Sequence, residues 1–170
     1  HGLNPGTALN VIGVLATEAS IAGEKFHQLV HTHANGVRVI TRPCPRFVEL
    51  VEAGQLTGPE VETAVDEAVS PLLETGADVI VLGCTHYPFL RPVIEERLPA
   101  GTLVVDTGPA VARRVSALLA PDLSSSPVGS LHIETTGSLG ILESLLPRLL
   151  PGIEATCATL PIGGPPPSGS

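Results

Sequence analysis

Residues Asp78–Leu90 read DVIVLGCTHYPFL, and the fold follows from how this stretch is built. Val79–Leu82 is apolar at every position, without the in-out alternation of a half-exposed strand. Such a run suits the centre of a parallel sheet covered on both faces. Gly83 ends it, Cys84 and two polar residues, Thr85 and His86, follow, and a helix is expected at about Leu90–Leu98. The same strand–loop–helix unit recurs on both sides. Upstream, Asn10–Ala16 (NVIGVLA) reads as a buried strand. A helix from Thr17 to about His31 follows, with Ile21, Phe26, Leu29 and Val30 on one face and Thr17 or Ser20 as cap. Val37–Thr41 is a second strand, and Phe47–Glu52 a short helix after Pro45. Pro59–Glu74 is a longer helix turning Val61, Ala64, Val65, Ala68, Val69 and Leu72 inward, interrupted at Pro71 and closed by Gly76. Downstream, Leu103–Asp106 is a strand and Ala110–Leu119 a helix. Alternating strands and helices predict an α/β layered domain with a mainly parallel sheet.

From Pro121 the character changes. Eight of the 17 prolines fall in the last 50 of the 170 residues, and a Ser run at 124–126 reads as a linker. Leu131–Thr135 is expected as a strand, Leu139–Leu150 as a Pro-kinked helix and Ile153–Thr159 as a last strand. These elements are too few for a core of their own. The expected organisation is therefore a domain over 9–119, a segment over 120–160 that packs on something outside it, and a disordered tail over 161–170.

Composition narrows the function classes. The chain is 43% hydrophobic, has a mean hydropathy of +0.34 and carries a net charge of -8, with Lys25 its single lysine. Disorder is disfavoured by this balance. So acidic a chain lacks the basic footprint that nucleic acid requires, and it is not drawn to anionic lipid. No apolar run is long enough to span a bilayer. Three cysteines cannot close a disulfide framework, which favours a reducing, cytoplasmic setting. The first residue is His1 and the chain contains no Met, so a fragment or processed product is expected.

Ligands of open α/β sheets bind beyond the carboxyl ends of the strands. Those ends bring forward Thr17 and Ser20, Pro43–Pro45, Gly83–His86 and Asp106–Gly108. Among them Cys84 stands out. A lone cysteine after a buried strand is often a small apolar filler, but here Thr85 and His86 follow at once. Gly83 is expected to permit a tight turn, and a helix N-terminus and a histidine both favour thiolate over thiol. Cys84 is thus a candidate nucleophile, general base or metal ligand. Cys44, held between two prolines, is a weaker candidate, and Cys157 is taken as structural. His27 and His31 have the i, i+4 spacing of a zinc clasp, but the accompanying Glu of a zincin is missing, so no metal is expected. Neither a dinucleotide fingerprint nor a phosphate-binding loop occurs, and Gly137-Ser138-Leu139-Gly140 misses the nucleophile-elbow spacing.

The stretch 78–90 closely resembles the second catalytic-cysteine motif of the glutamate racemases, within the aspartate/glutamate racemase family. The His after Cys-Thr distinguishes them from aspartate racemases, which resemble Gly-Cys-Thr-Glu there. Val11–Ser20 (VIGVLATEAS), Cys44–Gly54 (CPRFVELVEAG), Leu103–Arg114 (LVVDTGPAVARR) and Ile133–Gly137 (IETTG) are similar to further family segments in order and spacing. Ala19, Ser20 and Phe26 depart from the residues usual at their positions.

The resemblance implies one half of a two-domain racemase fold, with substrate between two similar α/β domains and a cysteine from each. Cys84 matches the second cysteine, His86 the residue assisting that thiol, and Glu52 the acidic residue supporting His86. Thr85, His86, Thr17 and Ser20 match substrate-binding positions. The implied activity is cofactor-independent interconversion of L- and D-glutamate, supplying D-glutamate for bacterial peptidoglycan. The implied partners are glutamate and the missing first domain, whose Asp-Ser-Gly and Cys-Asn-Thr motifs are not in these residues; a homodimer stays open. The alternatives are a one-cysteine member of the superfamily, such as a decarboxylase or isomerase, and a non-catalytic interaction domain.

Overall fold

The structure is a computed structural model that describes residues 11–119 and 129–161. The chain divides into two compact units, on either side of Pro121 and Asp122.

The first unit is built on four parallel strands, β1 (Val11–Ala16), β2 (Arg38–Pro43), β3 (Val79–Leu82) and β4 (Leu103–Asp106), in the order β2-β1-β3-β4. Pairing is in continuous register: Val14 faces Thr41 on one side and Val81 on the other, and Leu82 faces Asp106. Because the chain leaves β1 for β2 and later returns to β3 on its other flank, the winding reverses between β1 and β3. That is the topological switch point, where doubly wound sheets open a crevice.

One face of the sheet is sealed by α3 (Pro45–Glu52), α4 (Pro59–Glu74) and α5 (Arg91–Glu96). Phe47, Leu50, Val51, Val61, Ala64, Val65, Ala68, Val69, Leu72, Val93 and Ile94 are buried there with Leu15, Ile80, Leu82 and Val104. Gly13 lets α4 sit low over the central strand, since a Cβ at this position would lie 2.8 Å from Leu72 Cδ1. Arg97 ties the far end of α5 to α4 through Glu62 and Asp66.

The opposite face differs from expectation. The helix expected over 17–31 is two helices, α1 (Glu18–Ala22) and α2 (Glu24–His33), because Gly23 adopts an extended backbone between them. Neither helix buries a residue, and Leu29 is 57% exposed. The helix α6 (Gly108–Leu119) also buries none; its Val111, Val115 and Leu118 are exposed, as are Leu103 and Val105 of β4. Between α2 and the sheet lies an open apolar groove of about 390 Å³, with Ile12, Val14, Phe26, Val30 and Val81 in its lining.

Pro71 does not interrupt α4, which runs unbroken to Glu74. A proline removes the donor that would satisfy the carbonyl four residues back. That carbonyl, of Glu67, receives Arg42 Nη2 from β2 at 3.4 Å instead. Gly76, at φ 83°, follows the helix end as expected. The helix expected at Leu90–Leu98 is a 3₁₀ turn, Tyr87–Leu90, running into the shorter α5.

The second unit contains β5 (Leu131–Thr135), α7 (Leu139–Leu149) and β6 (Ala155–Thr159), with β5 and β6 parallel. None of its described residues is buried. The Ser run at 124–126 and residues 162–170 of the expected tail lie outside the described residues.

Candidate active site

The carboxyl end of β3 approaches β1 closely. Gly83 N donates to Leu15 O at 2.7 Å. Its φ is not positive, so Gly83 is not needed for a tight turn, contrary to expectation. Space requires it instead: a Cβ would stand 3.1 Å from both the Ala16 Cβ and the Leu15 carbonyl oxygen. The next residues fold into a turn in which Tyr87 N donates to Cys84 O at 3.2 Å.

Within this turn Cys84 Sγ lies 3.7 Å from His86 Nδ1. On the other side of the ring, His86 Nε2 lies 3.3 Å from Glu52 Oε1. Glu52 is the last residue of α3, so it reaches the loop from the end of a helix, 34 positions before His86 in the chain. Thiol, imidazole and carboxylate therefore form a row, with His86 33% and Glu52 65% exposed. A base in contact with an ionisable thiol, itself oriented by a third group, is the arrangement that activates thiols and moves protons. Thr85 is exposed between Cys84 and His86.

Thr17 and Ser20 follow the end of β1, the strand beside β3. Thr17 Oγ1 accepts Ser20 N at 3.2 Å as the cap of α1 and donates to Ser20 Oγ at 2.8 Å. The topology thus brings the Thr17–Ser20 hydroxyl pair and the Cys84–His86 loop to neighbouring strand ends at the switch point.

The other cysteines are placed differently. Cys44 is buried, with its Sγ on Arg42 O at 3.4 Å. Burial pushes this thiol up to about 12, only partly offset by the Arg42 charge, so it stays protonated at neutral pH. Cys157 is half-buried in β6 of the second unit. Among the described residues no group of three His, Cys, Asp or Glu side chains could hold a metal ion. Ser138 caps α7 by accepting Ile141 N. Asp106, at the end of β4, takes Arg91 Nη1 at 2.8 Å on one oxygen and Gly108 N at 2.9 Å on the other, which fixes the start of α6.

Residues 6–115 match the family model for Asp/Glu/hydantoin racemases. The chain belongs to this family. Among its relatives, the glutamate racemase of Pseudomonas putida (strain GB-1) is 45% identical over 145 residues, covering 84% of this chain and 55% of the relative. That of Herpetosiphon aurantiacus is 47% identical over 126 residues, covering 70% of this chain and 50% of the relative. The chain spans about half the length of the curated racemases it matches. Among solved structures, a Bacillus anthracis glutamate racemase superposes with a TM-score of 0.78 at 25% identity, over 92% of this chain and 59% of that one. Escherichia coli glutamate racemase, determined with L-glutamate and the activator UDP-MurNAc-ala, gives 0.74 at 30% identity, over 91% and 59%. The racemase fold accounts for the parallel sheet. No helix among the described residues is long and apolar enough to cross a membrane.

Sequence reasoning did not single out Tyr87 except as part of the family motif. Its signal was available: it is the chain's one tyrosine, placed directly after the candidate histidine.

Proposed function

We propose that this chain supplies one of the two opposed acid/base groups of a glutamate racemase, the group being the Cys84 thiol. The observation that carries this is the Cys84–His86–Glu52 row at the switch point of a racemase-family sheet. Inverting an amino acid without a cofactor means removing the α-proton from one face and returning a proton to the other. A single base does not serve both faces, so two groups in opposed positions are required. The α-carbon is a weak acid, and the abstracting group must be held in contact with it and shielded from water. In this reading Cys84 removes or delivers the proton, His86 exchanges it with the thiol, and Glu52 orients His86. The backbone and hydroxyl of Thr85, together with Thr17 and Ser20, bind the substrate's polar groups. D-glutamate made this way serves cell-wall peptidoglycan.

The second base is assigned to polypeptide equivalent to the remainder of the longer relatives. Of the two other cysteines, Cys44 is buried and protonated and Cys157 lies in a separate unit. The 120–160 segment is assigned to pack against that same remainder, since none of its described residues is buried here.

The test is α-proton exchange of L- and D-glutamate in deuterium oxide, followed by NMR. The 170-residue chain alone should give at most slow, one-sided exchange, abolished by Cys84→Ala. Joined to the opposing domain of a relative, it should interconvert both enantiomers. Full interconversion by the chain alone would defeat the half-site, and no exchange in the joined enzyme would favour a non-catalytic domain.

A further inference from the structure

We propose that Tyr87 is a positioning residue whose hydroxyl sets the contact between His86 and Glu52. Its bearing on catalysis rests on the roles given above to Cys84, His86 and Glu52.

Tyr87 is fully buried. Its ring packs edge-on against Phe47 of α3, with centroids 5.1 Å apart at 77°. That packing a phenylalanine could also provide. The hydroxyl does something further: it donates to the Cys44 carbonyl at 2.9 Å. Cys44 immediately precedes Pro45, the first residue of α3, and its carbonyl also accepts Phe47 N at 3.2 Å. The hydroxyl therefore grips the start of α3, and α3 is a short rigid rod of about 12 Å that presents Glu52 at its other end.

At its own backbone Tyr87 closes the Cys84–Tyr87 turn by donating to Cys84 O, and its preceding neighbour is His86. One side chain thus joins the two elements that carry the two halves of the His86–Glu52 contact. Neither His86 nor Glu52 is well buried, so their own surroundings do little to hold them together. A buried hydroxyl also demands a partner, and the Cys44 carbonyl at the start of α3 is the one it has. Apolar contacts alone tolerate small slips of α3 because they are not directional, whereas the hydrogen bond favours one alignment, which makes the hydroxyl the register pin.

The experiment uses the 170-residue chain with isotopically labelled histidine. The Nε2 chemical shift of His86 is compared between the parent and Glu52→Gln, which reads the contact directly and requires no turnover. The same comparison is then made in a Tyr87→Phe background, which keeps the ring and removes only the hydroxyl. The amide spectrum verifies that each variant is folded, and Phe47→Leu serves as a second background that loosens the ring packing while leaving the hydroxyl. The expected result is that the Glu52→Gln shift falls by at least half in Tyr87→Phe and survives in Phe47→Leu. An undiminished shift in Tyr87→Phe, even with a lowered melting temperature, would show a merely structural tyrosine and overturn the proposal. A parent in which Glu52→Gln leaves His86 unmoved would overturn it too, because no contact would exist to be positioned. Failure of the racemase reading shows separately, as absent α-proton exchange in the joined enzyme with these shifts unchanged.

Discussion

His86 Nε2 and Glu52 Oε1 stand 3.3 Å apart across 34 residues of chain. Two neighbouring segments of the fold make this contact: α3, entered from the end of β2, and the loop leaving β3. The carboxylate thus reaches the side of the imidazole remote from Cys84, and the ring bridges acid and thiol. Consequences for a proton-transfer site follow from that order.

Loss of His86 should damage one direction of proton transfer more than the other. In an enzyme completed by the opposing domain, His86→Ala is expected to slow the transfer on the Cys84 face by on the order of 10²–10⁴-fold, with Glu52→Gln affecting the same face less. Isotope effects with α-deuterated L- and D-glutamate separate the two faces. Equal slowing of both directions would leave His86 a substrate-binding residue only.

The three thiols should differ in reactivity. Cys84 is half-buried at a strand end, whereas Cys44 is buried with its pKa pushed up to about 12. At pH 7 only on the order of one Cys44 in 10⁵ is thiolate. Brief iodoacetamide treatment at neutral pH, read by peptide mass spectrometry, should label Cys84 first and Cys44 last. Labelling of Cys44 ahead of Cys84 in folded chain would contradict the burial that sets this order.

Alkaline conditions should weaken the fold through the same cysteine. Burial raises the Cys44 thiol from 9.0 to about 12, so the unfolded chain loses this proton first. The stability carried by the neutral thiol is complete below about pH 9 and drains away as the pH climbs towards 12. Burial, followed by the nearby Cys44 and Cys84 thiols, pushes Tyr87 up as well, and its contribution has the same sign. A Cys44→Ala chain should therefore lose less stability than the parent between about pH 9 and pH 11. Urea unfolding across that interval checks it, and parallel slopes for the two chains would remove Cys44 from the account.

Gly83→Ala should destabilise by about 1–3 kcal/mol, because the new methyl meets the Leu15 carbonyl oxygen and the Ala16 Cβ at 3.1 Å. The backbone on both sides is paired and yields little. Gly129→Ala, whose methyl would meet nothing within 4 Å, is the matched control. Denaturant midpoints compared at constant slope decide between them, and a neutral Gly83→Ala would mean that β1 and β3 can part at their ends.

The strands were the most legible part of the fold. Val79–Leu82 and Leu103–Asp106 appear with the expected bounds because an uninterrupted apolar run between turn signals leaves few other readings. Local pattern failed where a distant residue decides the outcome. Pro71 read as a break, yet Arg42 from β2 supplies the missing donor. Leu29 and Val30 read as sharing one helix face with Ile21 and Phe26, yet spacing does not say whether anything covers that face. Gly83 was legible as a requirement but not in its cause, since crowding by Ala16 is a contact across strands. The candidate site was legible at Cys84 and His86, which are two positions apart in the chain. Glu52 was reached only through the family resemblance. The grip of Tyr87 on the Cys44 carbonyl spans 43 positions and left no local mark.

The Arg42–Glu67 bond couples the end of α4 to the arrival of β2 during folding. Helix formation spreads rapidly from an established turn, but the exposed Glu67 carbonyl ahead of Pro71 has water alone as a donor until β2 arrives from 25 residues upstream. The front of α4 carries no such deficit, whereas the turn around Pro71 gains its protein donor only with a slower event, the long-range pairing of β2 with β1. Pulsed hydrogen exchange during refolding should accordingly find the amides of Leu72–Glu74 protected no sooner than those of β2, with the amides of Ala64–Ala68 protected ahead of both.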